Sequence, residues 1–124
     1  MKPERVMGIA AALVAAGIGI GALGSHALRA VLSPRQAESL ATAVNYQLLN
    51  SLGLLLVGVL MKNTAITGLG CVALVLIAGI ACFSGGIYLM LAGAPDLVGL
   101  VTPVGGVLLI VGWSVLAWKC LKNR

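Results

Sequence analysis

Gly21-Ala-Leu-Gly-Ser-His-Ala-Leu28 closes the first of four long apolar runs and carries the only histidine of the chain. From Val6 to Gly24 nothing ionises, so this run can cross the roughly 30 Å apolar layer of a bilayer as a helix rising about 1.5 Å per residue. Three further runs are long enough to do the same: Ala43 to Met61, Ile66 to Leu91, and Leu97 to Trp118. With 124 residues, 60% hydrophobic and 9% charged, the chain has too little polar surface to cover a water-soluble globule. The runs of Leu, Val, Ile, Ala and Gly show no period-two alternation. That excludes the strands of a membrane barrel and favours helices, which satisfy their own backbone groups. The expected fold is all-α, a single domain over residues 1–124 forming an integral membrane four-helix bundle, with a short interfacial helix between spans one and two.

The eight Lys and Arg outnumber three acidic residues, for a net charge of +5. They stand at the ends of the apolar runs and form no stripe interleaved with aromatics, so a nucleic-acid surface is excluded. Four spans put Lys2, Arg5, Lys62, Lys119, Lys122 and Arg124 on one side, and Arg29 and Arg35, with Glu38 and Asp96, on the other. Six basic residues against two place both termini in the cytoplasm by the positive-inside rule. Lys2 and Arg5 ahead of a run ending Ala22-Leu-Gly24 also have the outline of a secretory signal. The run exceeds the usual apolar core of about 7–15 residues, and its glycines are spaced for packing, so it reads as a retained anchor. Cys71, Cys82 and Cys120 have neither paired nor metal-type spacing, and neither a disulfide nor a metal site is expected.

Along the chain, Gly8, Ala12 and Ala16, and beside them Gly17, Gly21 and Ser25, form two ridges of small residues at fourfold spacing, where another helix can approach closely. Ser33-Pro-Arg-Gln36 is a helix start: serine caps, proline suits the first position, and glutamine returns the bond. Residues Ser33 to Thr42 suit the membrane interface and continue or bend into span two. That span opens with Asn45-Tyr-Gln47 and then Asn50-Ser51. At 3.6 residues per turn Tyr46, Gln47 and Asn50 share a face that must turn away from lipid. The third span ends Phe83-Ser-Gly-Gly-Ile-Tyr88, and the turn Gly93-Ala-Pro-Asp96 makes spans three and four antiparallel neighbours. In Thr102-Pro-Val-Gly-Gly106, a helix begun at Leu97 would kink at Pro103, whereas one capped by Thr102 would carry Pro103 in its first turn; the kink is the favoured reading. Gly85, Gly86, Gly105 and Gly106 join Gly17 and Gly21 as expected packing positions. Trp118 beside Lys119 is an interfacial anchor, and Trp113 is assigned to packing.

This topology gathers Ser25, His26, Tyr46, Gln47, Asn50, Ser84, Tyr88 and Thr102 in the outer half of the bundle. They line one polar cleft or form a structural network, and the network is favoured because none carries a permanent charge. Within it His26, Gln47 and Asn50 are expected to hydrogen bond as one cluster. An enzyme is not expected. Nucleophilic catalysis needs a base beside a nucleophile, a metal site wants about three ligands, and Glu4, Glu38 and Asp96 all lie outside the spans. What remains is a structural or accessory protein binding partners or lipids through its helix faces. The alternative is an oligomeric small-molecule or ion permease with an outward-facing polar cleft. No cofactor is expected; the partners are the lipid bilayer and a second copy or another membrane protein.

Gly21 to Leu28, Tyr46-Gln47, Phe83 to Tyr88, Thr102 to Gly106 and Gly112-Trp113 resemble, in order and spacing over essentially the whole chain, the small bacterial inner-membrane proteins of domain-of-unknown-function family 423. That family is related to animal transmembrane protein 256. The resemblance implies a four-span protein of the bacterial inner (plasma) membrane and no established activity, substrate or cofactor. Two positions depart from the family pattern: Ser25, usually Ala, and Asn50, often His. A histidine replaced by Asn50 argues for hydrogen bonding at that position rather than for an obligatory ligand.

Overall fold

The computed structural model describes residues 1–123, so Arg124, counted above among the basic residues, lies outside the described residues. Four long helices follow one another: α1 (Pro3–Ser25), α2 (Pro34–Asn63), α3 (Leu69–Leu91) and α4 (Val101–Lys122). All four belong to segments long and apolar enough to cross a membrane.

The helix ends follow from local chemistry. Ser33 Oγ accepts from the Gln36 N–H at 3.2 Å and Gln36 Oε1 accepts from the Ser33 N–H at 2.9 Å, a complete capping box with Pro34 in the first turn. The helix begun there does not stop at the interface. α2 is unbroken to Asn63, so the separate short interfacial helix expected between spans one and two does not form. No glycine or proline interrupts residues 35–52, and Leu40 is already buried at the α1 contact, so nothing favours a break. At about 1.5 Å per residue, 30 residues make roughly 45 Å, longer than the roughly 30 Å of hydrocarbon in a bilayer. α3 ends in a Schellman motif, with Ala94 N–H donating to Leu89 O, Gly93 N–H donating to Met90 O, and Gly93 at φ 93°.

Residues Asp96–Leu100 wind as a 3-10 turn that becomes α-helical at Val101. Pro103 therefore sits in the first α-helical turn, and the α-helix from Leu97 on which the expected kink depended is replaced by the 3-10 turn. The missing N–H of Pro103 falls among the first-turn donors that have no intrahelical partner in any case.

α1 packs along α2, α2 along α3 and α3 along α4, while α1 and α4 do not pair, so α2 and α3 form the centre of the bundle. The α3/α4 seam matches Leu76 with Gly112, Gly79 with Leu109, Phe83 with Gly105 and Gly86 with Thr102. Steps of three and four alternate on both helices, the 3.5-residue repeat of a left-handed antiparallel pair. A Cβ at Gly105 would collide with the Phe83 backbone; one at Gly86 would lie 3.3 Å from the Thr102 nitrogen. On the α1/α2 seam a Cβ at Gly17 would lie 2.8 Å from Leu48, and one at Gly21 would lie 3.2 Å from Val44. A Cβ at Gly106 would make only ordinary contact with the Phe83 ring. Gly85, expected in the seam, has nothing within 4 Å, since one residue turns the helix by about 100° and carries it off the contact stripe occupied by Gly86.

The buried apolar cluster, including Val6, Ala10, Leu54, Val57, Val72 and Leu76, fills the half of the bundle that holds the termini. At that same end Glu4 pairs with Lys62 at 3.3 Å and Lys119 donates to Thr67 O at 2.9 Å, so both termini and the α2–α3 turn share one face. The polar interior runs from the middle of the bundle toward the other end, where it meets the apolar cluster at Leu13 and Trp113.

Candidate functional site

Gln47 is 4% exposed and joins three helices. Its Nε2 donates to the Leu13 carbonyl of α1 at 2.7 Å, and its Oε1 accepts from the Tyr88 hydroxyl of α3 at 2.6 Å. A mid-helix carbonyl is reachable at Leu13 because the residue one turn on is Gly17. A helical side chain covers the turn that precedes it, and glycine leaves that turn bare. Asn50, 5% exposed, joins two helices. Its Nδ2 donates to Tyr46 O within α2 at 2.8 Å, and its Oδ1 accepts from Trp113 Nε1 of α4 at 2.7 Å. Ser84 Oγ of α3 donates to Ala43 O of α2 at 2.7 Å. Each helix is thus tied by at least one such bond to α2.

The other expected members stand differently. Tyr46 presents its ring to Phe83, with centroids 4.6 Å apart and planes 30° apart. Thr102 packs its hydroxyl against Gly86 in the α3/α4 seam. Ser25 and His26 are exposed at the end of α1, and none of the bonds of Gln47 or Asn50 goes to His26. The cluster of His26 with the two amides is therefore not formed. Gly17 is the α1 position beside Gln47, and nine further residues carry His26 about 13 Å along the axis from it. Trp113 takes the place expected for the histidine. The one sequence signal that could have found it is the tryptophan's depth, since an indole N–H a turn and more from the end of an apolar run needs an acceptor. Ser51 Oγ, one turn below Gln47, is buried without a hydrogen-bond partner.

Chemically these groups are hydroxyls, amides and an indole, none ionised at neutral pH. Among the described residues no three His, Cys, Asp or Glu side chains come together as a metal site would require. Grooves open on the helix surfaces near several of the expected polar residues. One, of about 420 Å³, opens between α1 and α2 at the end away from the termini and is lined by Gly21, Gly24, Ser25, Leu40 and Asn45 among others. Another, about 550 Å³ and mostly apolar, lies between α2 and α4 over Tyr46, Asn50, Phe83 and Trp113.

Four apolar helices tied through a polar interior define an integral membrane four-helix bundle. The chain belongs to the family described as "Protein of unknown function (DUF423)", which matches residues 20–106. It is 36% identical to a UPF0382 membrane protein of Staphylococcus epidermidis and 37% identical to one of Staphylococcus saprophyticus, over 98% of this chain and 98% and 99% of theirs. It is 31% identical to a UPF0382 membrane protein of Bacillus subtilis, over 98% of both chains. No solved structure matches it.

Proposed function

We propose that this protein is a structural or accessory component of the bacterial inner membrane, a tied bundle that works through the faces it presents to lipid and to neighbouring membrane proteins. The observation that carries this reading is the engagement of the interior polar groups. Gln47, Asn50, Ser84, Tyr88 and Trp113 bond to one another or to backbone carbonyls across helices. A solute pathway needs polar groups that exchange partners as the solute passes, and these would first have to release the helices they hold. The uncharged character of the network also supports a holding role over proton or ion transfer.

A second reading, an oligomeric small-molecule or ion permease with an outward-facing polar cleft, has the groove at Ser25 and Asn45 in its favour. Purified protein in sealed vesicles loaded with reporters of protons, potassium and small polar solutes separates the two. The structural reading expects leak equal to that of empty vesicles. Saturable flux abolished by Gln47→Leu would overturn it.

A further inference from the structure

The end of the bundle that holds the termini carries a feature the network does not use. Where the α3/α4 seam opens, a groove of about 280 Å³ is lined by Ile66, Thr67, Trp118, Lys119, Lys122 and Asn123. Lys119 is held there by its bond to Thr67 O, and Lys122 Nζ stands 4.8 Å over the Trp118 ring. Among the described residues no acidic side chain pairs with either lysine, because Glu4 is engaged by Lys62. Lys119 Nζ also lies beside Gly68, the N-cap of α3, which has no side-chain cap. Among the described residues, two ammonium groups in the last turn of α4 and the N-terminal end of α3 thus line one groove with no acidic side chain beside them, an arrangement open to an anion.

The groove does not end at the headgroup level. Farther along the same seam is an apolar furrow of about 80 Å³ between Cys71 and Val75 on α3 and Val111 and Val115 on α4. Cys71 and Val75 are four residues apart on α3, with Thr67 in the turn just before its N-cap Gly68, and on α4 Val111 and Val115 of the furrow continue to Trp118 and Lys122 of the groove in steps of four, three and four. Groove and furrow are therefore one track, cationic at its mouth and apolar within, with Trp118 at the boundary where tryptophan anchors to an interface.

We propose that this track binds one anionic phospholipid, with the headgroup phosphate between Lys119 and Lys122 beside the Thr67 hydroxyl and an acyl chain along the furrow. Basic pockets between helices are suited to acidic lipid headgroups, and the apolar continuation selects a lipid over free phosphate. The proposal rests on the reading that the protein works through its lipid-facing surfaces, and it specifies the lipid class for one of them.

The test uses the full chain in detergent micelles, titrated with dioleoyl phosphatidylglycerol, dioleoyl phosphatidylcholine or inorganic phosphate, with the first bound molecule read by native mass spectrometry. The wild type should prefer the glycerol lipid. At about fivefold per basic side chain, Lys119→Gln with Lys122→Gln should lose about twenty-fivefold of that preference. Lys122→Gln alone, which leaves the Thr67 bond intact, should lose about fivefold and retain the wild-type melting midpoint. Lys2→Gln with Arg5→Gln removes the same charge from the same end and should change the preference little. Equal losses in the two double variants, no loss in either lysine variant, or phosphate binding as tightly as the lipid would each overturn the site. Solute flux with intact lipid preference would instead refute the structural reading and leave this site standing.

Discussion

Gln47 shows how a single side chain orders this protein. A buried amide left without partners costs about 1–3 kcal/mol, whereas Gln47 reaches a carbonyl on α1 and a hydroxyl on α3. Interhelical bonds of this kind average about 0.6 kcal/mol and reach about 1.7 in membranes. A double-mutant cycle of Gln47→Leu and Tyr88→Phe, read by unfolding in bicelles, should give a coupling energy in that range. His26→Ala combined with Gln47→Leu should be additive, because the histidine stands a helix segment away. The two buried serines provide a contrast of sign. Ser84→Ala should destabilise by about 1 kcal/mol through loss of its bond to Ala43 O, while Ser51→Ala removes an unpartnered hydroxyl and should be neutral or stabilising. Equal destabilisation by both serine changes would contradict the assignment of bonded and unbonded hydroxyls.

Among the elements, the α3/α4 seam is set by glycine phase. Gly105→Ala puts a methyl group against the Phe83 backbone, which cannot move aside as a side chain can, so it should lower the melting midpoint sharply. Gly85→Ala meets open space and should leave the midpoint unchanged or raise it, as alanine stiffens a helix. The sequence marks Gly85 and Gly86 alike, because only the partner helix decides which of two successive residues faces it. The same limit explains the histidine. Ser33-Pro34 and Gly93 announce helix ends through bonds made within a few residues, and both ends are where those residues put them. The shared face of Gln47 and Asn50 also follows from helix period alone. Their partners depend on the register of α1 against α2 and on the approach of α4, and neither loop length nor periodicity contains that information. Trp113 is assigned to packing from the sequence, and neither its donor role nor its acceptor Asn50 is read there. Pro103 allowed two helix starts, and packing of Thr102 on Gly86 accompanies the later one.

On the scale of the whole molecule, the end holding the termini is apolar inside, and the hydrogen-bonded ties run from mid-bundle toward the opposite end. Helices gain little from the hydrophobic effect against one another in lipid, so close glycine contacts and polar ties carry the association. The sidedness expected from the basic residues is checked with single-cysteine variants on a cysteine-free background. Asn123→Cys should be labelled only from the cytoplasm, and Asp96→Cys only from outside. Labelling of both from one side would refute the four-span arrangement. The central claim is that the interior amides hold the helices together, and unfolding of the Gln47→Leu, Asn50→Leu double variant in bicelles tests it most directly. Both substitutions keep side chains of similar size while removing the ties from α2 to α1, α3 and α4 at those two positions. The account predicts a melting midpoint well below that of wild type and of the lipid-facing control Leu49→Ala, with helix content retained before the transition. A midpoint equal to wild type would show that the amides do not hold the bundle, and would contradict the account.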